Sequence, residues 1–163
     1  QAGPLLVGTD TWDDARACLV VARAGYTIDG LTEALRQAAA MTSVALYGVD
    51  LAGVNLTRAD LTGVDLTRAY LVGANLAGAN LAGANLTYAT LTRVSLTRAS
   101  LRRAKLRGAY LAGADITYAT LTGADLSGAD LTGADLARVH YDATTRWPDG
   151  FDPPTDAVKE RTP

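Results

Sequence analysis

From residue 46 to residue 136 an aliphatic side chain recurs at every fifth position, leucine throughout except for Ile116. Two residues before each one stands a small apolar residue, always Ala or Val, from Val44, Val49 and Val54 through Ala129 and Ala134. The grid extends outward to Ala39 and Met41 at one end and to Val139 and Tyr141 at the other, with the looser edges that terminal repeats show. A period of five fits neither an amphipathic helix, which needs about 3.6 residues, nor a simple half-buried strand, which needs about 2. On a helix, successive leucines would fall about 140° apart and cover every face, so no core could form.

The alternating spacing of two and three between small residue and leucine instead predicts a short extended stretch with both side chains inward, then a turn, repeated. Such a chain must coil. If successive coils stack as strands do, about 4.8 Å apart, each Leu lies over another and Ala or Val fills the space between. The predicted product is an all-β solenoid.

Stretches such as Ala79-Asn80-Leu81-Ala82-Gly83 and Ala124-Asp125-Leu126-Ser127-Gly128 resemble the pentapeptide-repeat family, whose pattern is Ala, Asp or Asn, Leu, then two variable positions. The resemblance covers about two thirds of the chain. It implies a right-handed, four-sided parallel β-helix with four repeats per coil, so that residues 20 apart stack and Leu51, Leu71, Leu91, Leu111 and Leu131 form one core column. Residues 39–143 would then make about five coils and a rod of roughly 25 Å.

Turns follow each leucine. Gly53, Gly63, Gly73, Gly78, Gly83, Gly113, Gly123, Gly128 and Gly133, two residues after it, suit a tight turn needing positive φ. Arg58, Arg68, Tyr88, Arg93, Arg98, Arg103, Tyr118 and Arg138 hold the same place elsewhere and would strain such a turn, so two turn types are expected.

A solenoid exposes its core and strand edges at both ends and needs caps. Residues 1–38 supply one candidate, a helical hairpin. Its first helix opens at Thr11 with Asp14 and carries Trp12, Ala15, Leu19 and Ala22 to a stop at Gly25. Its second runs from about Gly30 to Ala40. Residues 144–163 supply the other, where Trp147, Pro148 and Phe151, with Tyr141 just before, form an aromatic cap over Leu131 and Leu136. The ending after Phe151 is expected to be mobile.

Composition narrows the function. With 15 Lys+Arg against 17 Asp+Glu and a net charge of -2, the chain is neither a polycation nor a disordered acid. One cysteine, Cys18, excludes an internal disulfide and favours the cytoplasm. The first residue is Gln, no secretory signal is evident, and the chain reads as trimmed or excised. The uncharged stretch between Arg68 and Arg93 is too rich in Asn, Gly and Thr to cross a membrane.

Candidate chemistry is sparse. His140 has no second His or Cys near it, and Cys18 reads as a small buried hydrophobe, so neither a catalytic nor a metal site is expected, and no cofactor. Asp115 and Asp135 would stack as like charges and could invite a cation. The sequons at Asn55 and Asn85 are by-products of the repeat. Charge placement says more: Arg93, Arg98, Arg102, Arg103, Lys105 and Arg107 occupy one coil uninterrupted by an acid. Two readings stand, charge pairing across coils, with Asp125 against Lys105, or a docking belt for an acidic partner. Tyr70 and Tyr110, in one column, could add aromatic anchors or merely pack over Thr90.

The expectation is therefore a non-enzymatic interaction or scaffold module for a protein partner, with homodimerisation through a solenoid end as a further possibility. The resemblance also implies an alternative, since some members of the family bind DNA gyrase or topoisomerase IV by imitating duplex DNA and protect against quinolones. Against it, residues 46–140 carry nine bases and seven acids, and the basic belt interrupts any acidic surface.

Overall fold

The computed structural model describes residues 47–48 and 50–161. The expected helical hairpin over 1–38, with Trp12, Cys18 and Leu19, lies outside the described residues.

Parallel bridges join residues 20 apart along four columns: Asp50, Tyr70, Thr90, Tyr110 and Asp130; Asn55, Asn75, Ser95, Asp115 and Asp135; Asp60, Asn80, Ser100, Thr120 and His140; Asp65, Asn85, Lys105 and Asp125. These define a first, second, third and fourth face in chain order. Inside, the core is dry: Leu51, Leu71, Leu91 and Leu111 are 0–2% exposed and Leu131 is 9% exposed. Alanines and Val64, Val94 and Val139 fill the corners between leucine columns. Burying each leucine contributes about 1.5–3 kcal/mol, which makes the inner columns the main source of stability.

The backbone explains the third fixed position of the repeat. In Ala74-Asn75-Leu76-Ala77-Gly78, Asn75 donates back to the Val54 carbonyl (2.9 Å), Leu76 forward to Ser95 (2.7 Å) and Gly78 forward to Thr97 (2.8 Å). Ala74 donates across the turn to the Leu71 carbonyl (3.0 Å). One amide remains, that of Ala77, and it donates to Asn75 Oδ1 at 3.0 Å. Asp or Asn before the leucine thus acts as a built-in acceptor for the amide two residues on, the Asx arrangement these side chains favour. Every Asp and Asn at this position from Asp50 to Asp135 does so.

The turns are of one type, which corrects the expectation of two. Gly53 has φ +67° and Gly83 +68°, yet Arg58, Arg68, Tyr88, Arg93, Arg98, Arg103, Tyr118 and Arg138 take the same left-handed conformation, at 55–59°. Each turn has the amide-to-carbonyl bond and the sign pattern of type II, as in Val94 to Leu91 around Arg93. The physical reason is cooperative: a left-handed L-residue costs about 1–2 kcal/mol, whereas opening one turn would break cross-coil bonds and unseat a buried leucine.

Regularity ends at Asp142. Its Oδ1 accepts from the amides of Gly123 (3.1 Å), Thr144 (2.9 Å) and Thr145 (3.1 Å). This knot inserts one extra residue, so Asp125 bridges Arg146 rather than a residue 20 on. Two short strands flank the break, β1 (His140–Tyr141) before it and β2 (Val158–Lys159) after it, paired in parallel. Val158 donates to the Val139 carbonyl (2.8 Å), the bond a further coil would make, and Glu160 adds one to that of Tyr141 (2.7 Å). His140 Nδ1 lies 3.1 Å from Glu160 Oε1. The segment after Phe151, expected to be mobile, therefore extends the stack on its third face. Tyr141, Trp147 and Phe151 pack against the core, with ring centroids 5.6 Å apart for Tyr141–Trp147 and 5.3 Å for Trp147–Phe151.

Candidate functional site

Once the chain is folded onto four faces, the six belt cations occupy one coil but not one patch. Arg93 stands at the corner after the first face and Arg98 at the corner after the second, because each is the left-handed residue of its turn. Arg102 and Arg103 form the corner after the third face. Lys105 lies in the fourth face, and Arg107 begins the corner that ends it. The fourth face of this coil therefore carries a cation in its middle and cations at both ends. Arg102, Arg103, Lys105 and Arg107 are all exposed.

Tyr70 and Tyr110 sit on the first face, 54% and 51% exposed, bridged through Thr90. Their face adjoins the fourth across the corner that Arg107 begins, three residues before Tyr110, and Arg93 stands at the other corner.

Among the described residues the ion pairs are His140–Glu160 and Arg146–Asp125, the latter at 4.0 Å. None of the six belt cations lies within 4.0 Å of a carboxylate there. Lys105 and Asp125 share a column as expected, but the carboxylate pairs with Arg146. The Ser127 hydroxyl holds the Asp125 carboxyl below its usual value against the opposing effect of burial, helped by the Ser127 amide and the charges of Arg146 and Arg107. Asp115 and Asp135 are in register. Burial pushes the Asp115 carboxyl up, and the hydroxyl and amide of Thr117 with the Thr97 hydroxyl outweigh it and hold it low. No three His, Cys, Asp or Glu side chains converge on a metal-sized site among the described residues.

Sequence reasoning missed two features, one centred on this coil and one that runs from it along a corner. Five consecutive repeats replace the Asx acceptor by Thr90, Ser95, Ser100, Lys105 and Tyr110. Among the described residues the amides of Thr92, Thr97, Arg102, Arg107 and Ala112 consequently have no protein acceptor. The signal was present, as a run of five repeats without Asp or Asn. Arg138 and Tyr118 were the other omission: Arg98 and Arg138 each lie 5.7 Å from the Tyr118 ring centroid, stacking one ring between two guanidinium groups along a corner.

A stack of five-residue repeats on four sides, closed around leucine, defines a class of solenoid, the quadrilateral β-helix. The chain belongs to the pentapeptide repeat family, whose solved members are right-handed helices of this kind; the family model matches in 8 copies over residues 39–76, 66–103, 74–111 and 95–133.

Solved structures similar to it include HetL from the cyanobacterium Nostoc sp. strain PCC 7120, a pentapeptide repeat protein involved in heterocyst differentiation regulation. That match has 34% identity, 57% of this chain, 52% of HetL and a TM-score of 0.43. Rfr23 from the cyanobacterium Cyanothece 51142 is 29% identical over 62% of this chain and 89% of its own, with a TM-score of 0.33. Full-length QnrB1, a plasmid-mediated fluoroquinolone resistance protein, is 17% identical over 71% of this chain and 81% of its own, with a TM-score of 0.44. The chain spans about half the length of HetL. Among curated proteins none matches it.

Proposed function

We propose that the protein is a non-enzymatic recognition module that docks an anionic macromolecular partner on its basic coil. The observation that carries this reading is the coincidence of three departures from the repeat's own rules in that one coil. Its cations have no carboxylate within ion-pair distance among the described residues. Three of its four corners hold Arg in left-handed backbone where glycine would relax it. Its Asx acceptors are missing throughout. Each departure costs stability, and costs concentrated at one place mark function rather than folding. The aromatic cluster at the C-terminal end serves, on this reading, as a lid that keeps solenoid ends from associating.

The test is charge reversal at Arg102, Arg103 and Lys105, read by binding of a labelled acidic peptide and by thermal unfolding. Binding should be abolished while the melting temperature stays nearly unchanged; unaltered binding would reject the belt. A DNA-mimic role needs a continuous acidic surface, which this coil interrupts. Inhibition of gyrase supercoiling, retained after the same charge reversal, would replace the belt reading with that one.

A further inference from the structure

The amides stripped of their Asx acceptor suggest what the partner supplies. We infer that the fourth face of the basic coil binds side-chain carboxylates of an acidic, extended peptide segment, with the amides of Arg102 and Arg107 as donors and Arg103 and Lys105 as flanking charges. This rests on the belt being the docking site and specifies the chemistry it reads.

A partner's carboxylate substitutes for the acceptor this coil lacks. In eleven other repeats the corresponding amide donates to Oδ1 of Asp or Asn at 2.9–3.2 Å. The local backbone is thus already shaped for a planar sp² oxygen at that spot. At Arg102 the preceding acceptor position is Ser100, and at Arg107 it is Lys105; neither accepts from the amide. Both amides belong to exposed residues. A partner's Asp or Glu can therefore place its carboxylate where this chain places its own elsewhere, with guanidinium and ammonium groups beside it. Charge-assisted bonds of this kind are the stronger ones.

The geometry favours carboxylate over phosphate. Phosphate sites built from backbone use several adjacent amides converging in one nest. Here the amides are single, one per corner, at opposite ends of a face. Along the fourth face Asp65, Asn85 and Asp125 each hold the amide two residues on (3.0–3.2 Å), so on that face the open donor occurs in this coil alone among the described residues.

The experiment uses the full chain, a labelled poly-aspartate peptide and a single-stranded oligonucleotide of matched charge. Ser100→Asn leaves net charge unaltered and gives Arg102 the neutral acceptor that Asn55, Asn75, Asn80 and Asn85 provide elsewhere. It should weaken peptide binding about tenfold, the value of one charge-assisted hydrogen bond, without lowering the melting temperature. Lys105→Asn and Lys105→Ala lose the same charge, but only the former caps Arg107, so the former should bind more weakly. In wild type, the amide resonances of Arg102 and Arg107 should shift on titration with the peptide.

Ser100→Asn binding like wild type, with unmoved amides, would overturn the carboxylate site while leaving a belt that acts by charge alone. Tighter binding of the oligonucleotide than of the peptide would also overturn it and make phosphate the ligand. Failure of both probes to bind would reject the belt itself.

Discussion

At the scale of single residues, the turn position two after each leucine shows how the stack overrides local preference. Arg58, Tyr88, Arg93 and Arg103 at this position lean along the rod toward the next coil. A Cβ on Gly78 would lie 3.4 Å from Arg58 Cγ, and one on Gly123 would lie 3.1 Å from Arg103 Cγ. The most crowded case is Gly108, where a Cβ would come within 2.4 Å of the Tyr88 ring. Gly53, with φ +67°, has open space around it. Gly53→Ala should therefore cost only the backbone term of about 1 kcal/mol. Gly108→Ala should cost more, and the excess should vanish in a Tyr88→Ala background. Denaturant unfolding of the four variants checks this as a double-mutant cycle; equal costs at Gly53 and Gly108 would show that the Tyr88 ring simply moves aside. Positive φ at the glycines was legible in the sequence. Positive φ at Arg and Tyr was not, because a local rule cannot know that cross-coil bonds on both sides hold the turn.

At the scale of the element, one repeat is a leucine, a small residue and an Asx acceptor, and the last makes the stack sensitive to acid. The Ser127 hydroxyl lowers Asp125, and hydrogen bonds to Thr117 and Thr97 lower Asp115 against burial. The Thr132 and Thr144 hydroxyls lower Asp130 and Asp142. A carboxylate depressed in the folded state adds stability that is present above its ordinary value of 3.8 and is lost as pH falls through the lower folded value. The melting temperature should thus stay level from neutrality down to about pH 4 and decline below it. Asp125→Asn keeps the acceptor but removes the titration, so it should flatten part of the decline; an unchanged acid profile would show that these hydrogen bonds do not stabilise the charged form. At the C-terminal end, removing residues 141–163 would uncover Leu131 and Leu136 and the edge at His140. Concentration-dependent association in sedimentation is the expected outcome, and a well-behaved monomer would reject the lid. The aromatic composition of that end was legible in the sequence. Its β2 strand was not, since Val158–Lys159 shows no repeat spacing and pairs with β1 only 18 residues on, His140 with Val158, instead of the regular 20.

At the scale of the whole molecule, four repeats per coil make sequence distance along the basic run equivalent to position around the rod. Leucine spacing alone gives a coiling chain with an inward column; the four faces, and with them the gathering of six cations into one coil, came from the resemblance to the pentapeptide-repeat family. What the spacing left open was whether those cations were already neutralised. Pairing of Asp125 with Arg146 rather than Lys105 depends on the register shift after Asp142, which no repeat count reveals. This coil gives up stability for binding, and restoring the repeat's own rules tests that exchange. Ser95→Asn and Ser100→Asn return two acceptors, each worth about 0.5–1.5 kcal/mol, and Arg93→Gly and Arg103→Gly relax two left-handed residues at about 1 kcal/mol each. The measurement is thermal unfolding of wild type and the four-fold variant, with and without the acidic peptide. The variant should melt higher by several degrees, at about 2–4 °C per kcal/mol, and the peptide should raise the melting temperature of wild type but not of the variant. A variant that melts lower, or that the peptide stabilises as much as it does wild type, would contradict it.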